Sequence, residues 1–222
     1  ISPKVLGASF SPTDGMIYPF SVVAASLHRA MELGMTFVPH TEVTGFRVAD
    51  QRVHAVETNR GTIHTDCVIN AGGAWAGHVA EMAGVNVPIV PVRGQVLVTE
   101  PLDGHPEWII AGIDPSIRKT WAANGLIGSC KEYVGFEKQT TLQRLRAYAA
   151  DLTEMFPHLQ DVQVLRSWSG LRPSTPDEKL VLGESDRVEG FITAGGAFRD
   201  GMLYGPAMGE VVRDIVLGRE PE

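Results

Sequence analysis

Cys67-Val68-Ile69-Asn70-Ala71-Gly72-Gly73-Ala74-Trp75 is the stretch from which the fold is read. Its first four residues form an apolar run of the kind buried in parallel sheets. The next three strip the side chains away, and a helix is predicted from Trp75 to Ala83, stopped by Gly84. A strand that ends in small residues just before a helix lets a ligand approach the backbone closely. The same pattern recurs near the carboxyl end, where the strand Gly190 to Ala194 runs into Gly195-Gly196 and a helix predicted from about Tyr204 to Leu217. Asn70-Ala71-Gly72-Gly73-Ala74 and Thr193-Ala194-Gly195-Gly196-Ala197 echo each other. If both lie at strand ends of one sheet, they can face one ligand.

Working outward, Ser11-Pro12-Thr13-Asp14-Gly15 signals a turn, and apolar residues from Val22 to Leu33 recur at helical spacing up to Gly34. A short strand, Met35 to Val38, is expected next. Val43 to Val48, Val53 to Thr58 and Thr62 to Asp66, with the Asn59-Arg60-Gly61 turn, predict a β-meander. Between Val87 and Cys130 the pattern is β-rich, Gln95 to Thr99 alternating and Pro91, Pro101, Pro106 and Pro115 marking bounds. An amphipathic helix follows from Leu142 to Met155, with Leu142, Leu145, Ala149, Leu152 and Met155 on one face. The fold class expected is α/β with α+β character. Residues 1–45, 66–86 and 166–222 make an α/β portion, 46–65 a meander inserted in it, and 87–165 a β-rich portion.

A formal charge of −7, 44% hydrophobic and 20% charged residues describe an ordinary globular chain long enough for a sizeable core. The acidic balance and the lack of Lys/Arg-rich runs argue against nucleic acid, because phosphate neutralisation needs clustered positive charge. No apolar run reaches the roughly 18–20 residues of a membrane span, and a cytoplasmic location is expected. Cys67 and Cys130 are read as buried free thiols. The seven histidines show no metal-ligand spacing, so no metal is expected; His54 and His64 are expected to be exposed.

Two segments carry chemistry on their own residues. Ser167-Trp168-Ser169-Gly170-Leu171-Arg172-Pro173-Ser174-Thr175-Pro176-Asp177 places Arg172 in an apolar, proline-bounded turn. A guanidinium there offers a fixed fork of donors to a carboxylate, each charge-assisted hydrogen bond worth about 1.5–3 kcal/mol. An internal ion pair with Asp177 or Glu178 is the other option the residues leave open. In Gly195-Gly196-Ala197-Phe198-Arg199-Asp200-Gly201-Met202, glycines, an arginine and a helix start coincide. A helix amino terminus has unsatisfied N–H groups and partial positive charge, which favour an electron-rich ligand edge; an ordinary glycine-rich connection is the alternative.

INAGGAWA at 69–76, PVRGQVLVTEP at 91–101, WSGLRPSTPD at 168–177 and AGGAFRDGMLYGPAMGE at 194–210 together resemble the FAD-dependent D-amino-acid oxidase superfamily, closest to its glycine oxidase and sarcosine oxidase branch. The resemblance implies an incomplete FAD-binding α/β domain interleaved with a β-rich substrate domain carrying a large mixed sheet. It implies oxidation of the C–N bond of a small amino acid or N-methyl amino acid to an imine, by hydride transfer to non-covalent flavin. Arg172 then clamps the substrate carboxylate, Arg199 lies near substrate and flavin, and Tyr133 faces the substrate. Gly195, Gly196, Gly201 and Met202 line the flavin ring, Val43 meets the adenine, and Ala71, Gly72 and Trp75 pass under the dinucleotide.

The G-x-G-x-x-G unit with which family members open has no counterpart, and Ile1 aligns past it. The expectation is a fragment that binds FAD weakly or not at all. The alternatives are a non-catalytic remnant and a subunit of a heteromeric amino-acid or opine dehydrogenase completed by another polypeptide. Sheet edges and apolar faces left uncovered predict self-association. A nicotinamide dehydrogenase would carry the complete fingerprint, which is absent.

Overall fold

A computed structural model describes residues 1–104, 108–111 and 116–220. Pro106 and Pro115, expected as strand bounds, lie outside the described residues. The chain forms two compact units: one of residues 1–18 and 93–171, the other of residues 19–92 and 172–222.

The second unit begins with α1 (Pro19–Glu32). Proline suits the first helical position because its missing N–H is unpaired there anyway. Gly34, at φ +99°, ends the helix as its position suggested. No residue of α1 is buried. The strand expected at Met35 to Val38 is not formed. An extended segment becomes a strand only by pairing, and among the described residues no strand pairs with this one.

The meander is present as β1 (Val43–Ala49), β2 (Arg52–Thr58) and β3 (Gly61–His64), antiparallel in that order. Asp50 and Gln51 both adopt positive φ (49° and 60°), which matches the right-handed twist of the strands that the turn joins. His54 and His64 are exposed.

A second sheet has the order β10-β11-β4, from β10 (Val181–Glu184), β11 (Phe191–Gly195) and β4 (Val68–Asn70). β4 and β11 are parallel, with Asn70 opposite Thr193. Parallel pairing was anticipated for β4, but full burial was not realised: Ile69 is 48% exposed on the edge strand. Each parallel strand feeds a helix, β4 into α2 (Ala76–Met82) and β11 into α4 (Gly201–Val216), which starts three residues before the predicted Tyr204. The core joins Val53, Ala76, Ala80, Val87, Ile89 and Phe191. α2 packs so closely that a Cβ on Gly77 would sit 2.6 Å from the Ile89 carbonyl oxygen.

β5 (Val90–Pro101), β6 (Ile110–Ala111), β7 (Ser116–Lys119), β8 (Asn124–Gly128) and β9 (Val164–Ser174) form one sheet of order β6-β7-β8-β5-β9, which belongs to the first unit apart from residues 90–92 of β5 and 172–174 of β9. α3 (Leu142–Met155) has the predicted bounds. Its core side differs from the expected face: Tyr148 and Leu152 are buried, with Leu145 and Met155 packed beside them, while Leu142 is 83% exposed and Ala149 is exposed. Tyr148 takes the core position because its hydroxyl finds partners there, accepting from the Cys130 and Ser129 N–H groups (2.9 and 3.2 Å) and donating to the Gln95 carbonyl (3.1 Å). Cys130 is buried as expected; Cys67 is only half-buried, and neither is joined in a disulfide.

Candidate active site

The echoing motifs meet. Because Asn70 lies opposite Thr193 in parallel register, Ala71-Gly72-Gly73 and Ala194-Gly195-Gly196 follow neighbouring positions at the carboxyl ends of β4 and β11, the chain leaving the sheet after Asn70 in one and after Gly195, still paired with β10, in the other. Open parallel sheets bind ligands at such ends. Asn70, 3% exposed, holds the first turn: its Nδ2 donates to the Ala76 carbonyl (2.8 Å) and its Oδ1 accepts from the Gly72 N–H (3.2 Å). This role went unread in the sequence, although a polar residue closing an apolar run was the available signal. Trp75 follows, half-exposed.

At the second tip Gly196 has φ +77°, and a Cβ there would come within 3.0 Å of Thr175 Cγ2 and 3.2 Å of the Lys179 carbonyl. Only glycine meets both demands without strain. Phe198, buried, also adopts positive φ (45°), which is unusual for a bulky side chain. Its N–H donates to the Pro173 carbonyl at 2.8 Å. That single bond places the Arg172 and Arg199 segments together, each arginine being one residue removed from it.

Arg172 sits within β9 rather than in a turn, which is a correction to the sequence reading. Pro173 is tolerated because β9 is the edge of its sheet, where a missing N–H costs no ladder bond. The turn comes afterwards, at Pro176-Asp177, where the Lys179 N–H donates to Asp177 Oδ1 (3.2 Å) and holds that carboxyl below its usual range. Arg172 is half-buried, while Arg199 is exposed, its guanidinium 5.6 Å from the Phe198 ring centroid. The Asp200 side chain does not cap α4, so the first-turn N–H groups at Gly201 and Met202 lack that partner.

Val43 opens β1 opposite Thr58, in the meander rather than in the sheet of the tips. Tyr133 belongs to the other unit and is 67% exposed. It follows a partly buried charge cluster, built around the buried Arg93, that the sequence did not disclose. Glu132 accepts from Arg93 Nε (2.7 Å), Gln95 Nε2 (2.8 Å) and Arg144 Nε (3.2 Å). Burial pushes the Glu132 carboxyl up, but the hydrogen bonds from Gln95, Arg93 and Arg144 outweigh it and leave the group below the usual carboxylate range.

A separate hollow of about 430 Å³ lies at the other end of α4, lined by Glu210, Arg213, Asp214 and Arg219 and holding none of the residues picked from the sequence. Among the described residues no helix is long and apolar enough to cross a membrane, and no group of three or more His, Cys, Asp or Glu side chains is placed to hold a metal.

Side-chain-poor parallel strand tips, each feeding a helix, are the geometry of a dinucleotide-site α/β protein. Residues 1–215 match the model of the FAD dependent oxidoreductase family, and the chain belongs to that family. Hydrogen cyanide synthase subunit HcnC of Pseudomonas aeruginosa is 35% identical over 97% of this chain and 52% of its own length. Glycine oxidase of the same organism is 34% identical over 82% of this chain and 50% of its own. The crystal structure of glycine oxidase from Geobacillus kaustophilus superposes with TM-score 0.83 at 26% identity, covering 90% of this chain and 54% of that one. L-proline dehydrogenase from P. horikoshii gives 0.82 at 29% identity, over 91% and 56%. The chain thus spans about half the length of these relatives.

Proposed function

We propose that this chain forms part of an FAD-dependent oxidoreductase that converts the C–N bond of a small amino acid or N-methyl amino acid to an imine. The observation that supports this reading is the Pro173 to Phe198 hydrogen bond, which joins the backbone segment that carries Arg172 to the one that carries Gly195-Gly196 and Arg199. The residues fit the cofactor: a flat ring needs backbone without side chains, and Gly72-Gly73 and Gly195-Gly196 leave the ends of two neighbouring parallel strands bare. FAD, when bound, supplies the two-electron acceptor for the oxidation.

The rest falls to the chain. Arg172 holds the substrate carboxylate and fixes the α-carbon's position, which accounts for rate through orientation rather than proton chemistry. Arg199 adds positive potential near substrate and flavin, and Tyr133 is read as facing the substrate. The backbone N–H groups of Gly201 and Met202, at the start of α4, stabilise negative charge on the cofactor ring. Gly195 and Gly196 would line that ring, Val43 would meet the adenine, and Ala71, Gly72 and Trp75 would hold the dinucleotide. In this reading residues 1–45, 66–86 and 166–222 serve the cofactor, 46–65 is a meander set into them, and 87–165 serves the substrate.

A further part of the reading is that another stretch of polypeptide, carrying G-x-G-x-x-G, completes the cofactor site. It is supported by α1, which buries none of its residues and exposes Phe20, Val23 and Met31, and by the relative named as a synthase subunit. The test is to titrate the purified chain with FAD and then assay it with glycine, sarcosine and proline, alone and with the G-x-G-x-x-G portion of a relative added. Turnover of an amino acid only in the completed form is expected. Completed protein that binds flavin yet oxidises none of a broad amino-acid panel would overturn the assignment.

A further inference from the structure

We propose that Glu132 is the positioning residue of the loop 133–140, clamping both of its feet so that Tyr133 is presented in one orientation. The inference rests on the reading of Tyr133 as substrate-facing. At the first foot, the backbone of Glu132 pairs with that of Arg93 in both directions (2.9 and 3.0 Å), and its carboxylate draws in Arg93, Gln95 and Arg144. At the second foot, Gln95 Oε1 accepts from the Thr141 N–H (2.7 Å) and Gln95 Nε2 donates to Thr141 Oγ1 (3.2 Å). Thr141 also caps α3, accepting from the Arg144 N–H at 3.4 Å. One carboxylate therefore ties β5, the segment before Tyr133 and the start of α3 together.

The loop between these feet turns at Gly135 (φ +64°) and carries Tyr133 and Phe136 exposed. Its Glu137 stands 3.7 Å from Arg93 Nη1, a buried atom with no hydrogen-bond partner. Arg93 thus reaches from the clamp to the middle of the loop. Taking Arg93 and most of the Glu132 carboxylate out of water is costly, and hydrophobic packing would have served stability as well. A loop fixed at both ends by charge-assisted bonds gains a defined geometry instead.

The test is cleavage by a lysine-specific endoprotease, which reports opening of the loop at Lys138. Glu132→Gln is expected to speed cleavage at Lys138 about tenfold or more, because the charge that draws in three donors is gone. Arg144→Ala, milder and at a half-buried position, is expected to speed it less. Glu154→Gln, which loses only an exposed pair with Lys4, is expected to leave it unchanged. If Glu132→Gln does not fold, Arg144→Ala decides. Cleavage at Lys138 no faster in either variant than in the unaltered chain would overturn the clamp.

A second readout separates positioning from stability. In the flavin-loaded, completed protein, Glu132→Gln and Tyr133→Phe are expected to raise KM for the amino acid with kcat little changed, and the double variant to be no worse than the worse single one. Fully additive effects would overturn the coupling. Should Tyr133→Phe alone leave KM unchanged while Lys138 cleavage still responds to Glu132→Gln, the fault lies with the reading of Tyr133, not with the clamp.

Discussion

At Gly196, backbone conformation and space act together. Its φ of +77° and the atoms 3.0 and 3.2 Å from a notional Cβ predict that Gly196→Ala costs about 1–3 kcal/mol, measured by urea unfolding. The charge on Arg172 has a different signature. Arg172→Ala in the flavin-loaded protein is expected to raise KM for carboxylate substrates roughly 10- to 200-fold per lost hydrogen bond, while simple amines are spared. Equal loss for both would mean damaged structure rather than a lost clamp. These two residues were unequally legible. The glycines of the echoing motifs announce themselves because few other residues tolerate such tips. Arg172 was found by its neighbours, but its place in a strand was not, since Pro173 reads as a turn residue unless the strand is known to be an edge.

Among the elements, α3 shows how far periodicity reaches. Its bounds follow from the apolar spacing and the Thr141 cap, and Thr141→Ala is expected to cost about 1 kcal/mol in thermal unfolding. Its buried centre is Tyr148, a choice that periodicity cannot make because it depends on carbonyl and N–H groups brought from β5 and from Ser129-Cys130. Burial and the contact with Cys130 raise the Tyr148 hydroxyl from 10.0 to about 12. A raised folded-state pKa stabilises the protonated form, so this contribution is complete below pH 10 and falls as pH rises toward 12. Glu132 works in the opposite sense: its lowered pKa contributes stability above its ordinary value of 4.5, lost as pH falls below it. A plot of unfolding free energy against pH should therefore slope down on both sides. Tyr148→Phe should flatten the alkaline limb and Glu132→Gln the acid one.

For the molecule as a whole, the exposed apolar residues on α1 and at Met35, Phe37 and Val38 have the larger consequence. Large apolar side chains left exposed over one stretch of chain, residues 20–38, favour association. The chain alone is expected to sediment as an oligomer at micromolar concentration and to bind flavin weakly. A monomer purified yellow with flavin near one equivalent would contradict both expectations. Adding the complementary polypeptide should abolish the association and raise flavin affinity together, because one surface is proposed to serve both.

What the sequence by itself determined was whatever depends on a residue and its near neighbours. The βα transitions at Gly72 and Gly196, the meander, the carboxyl end of α1, both ends of α3, and the family resemblance carried by four short motifs are all of this kind, since backbone freedom and local periodicity are written into adjacent positions; the start of α1, at Pro19 where the apolar spacing begins only at Val22, is not. What only the tertiary structure decided were relations between distant residues. Asn70 lies opposite Thr193, the Phe198 N–H meets the Pro173 carbonyl, Met35 to Val38 finds no strand to pair with among the described residues, and Glu132 gathers Arg93, Gln95 and Arg144. A hydrogen bond or an ion pair needs two partners within about 3 Å, and nothing in a linear chain states which far residue will be the second.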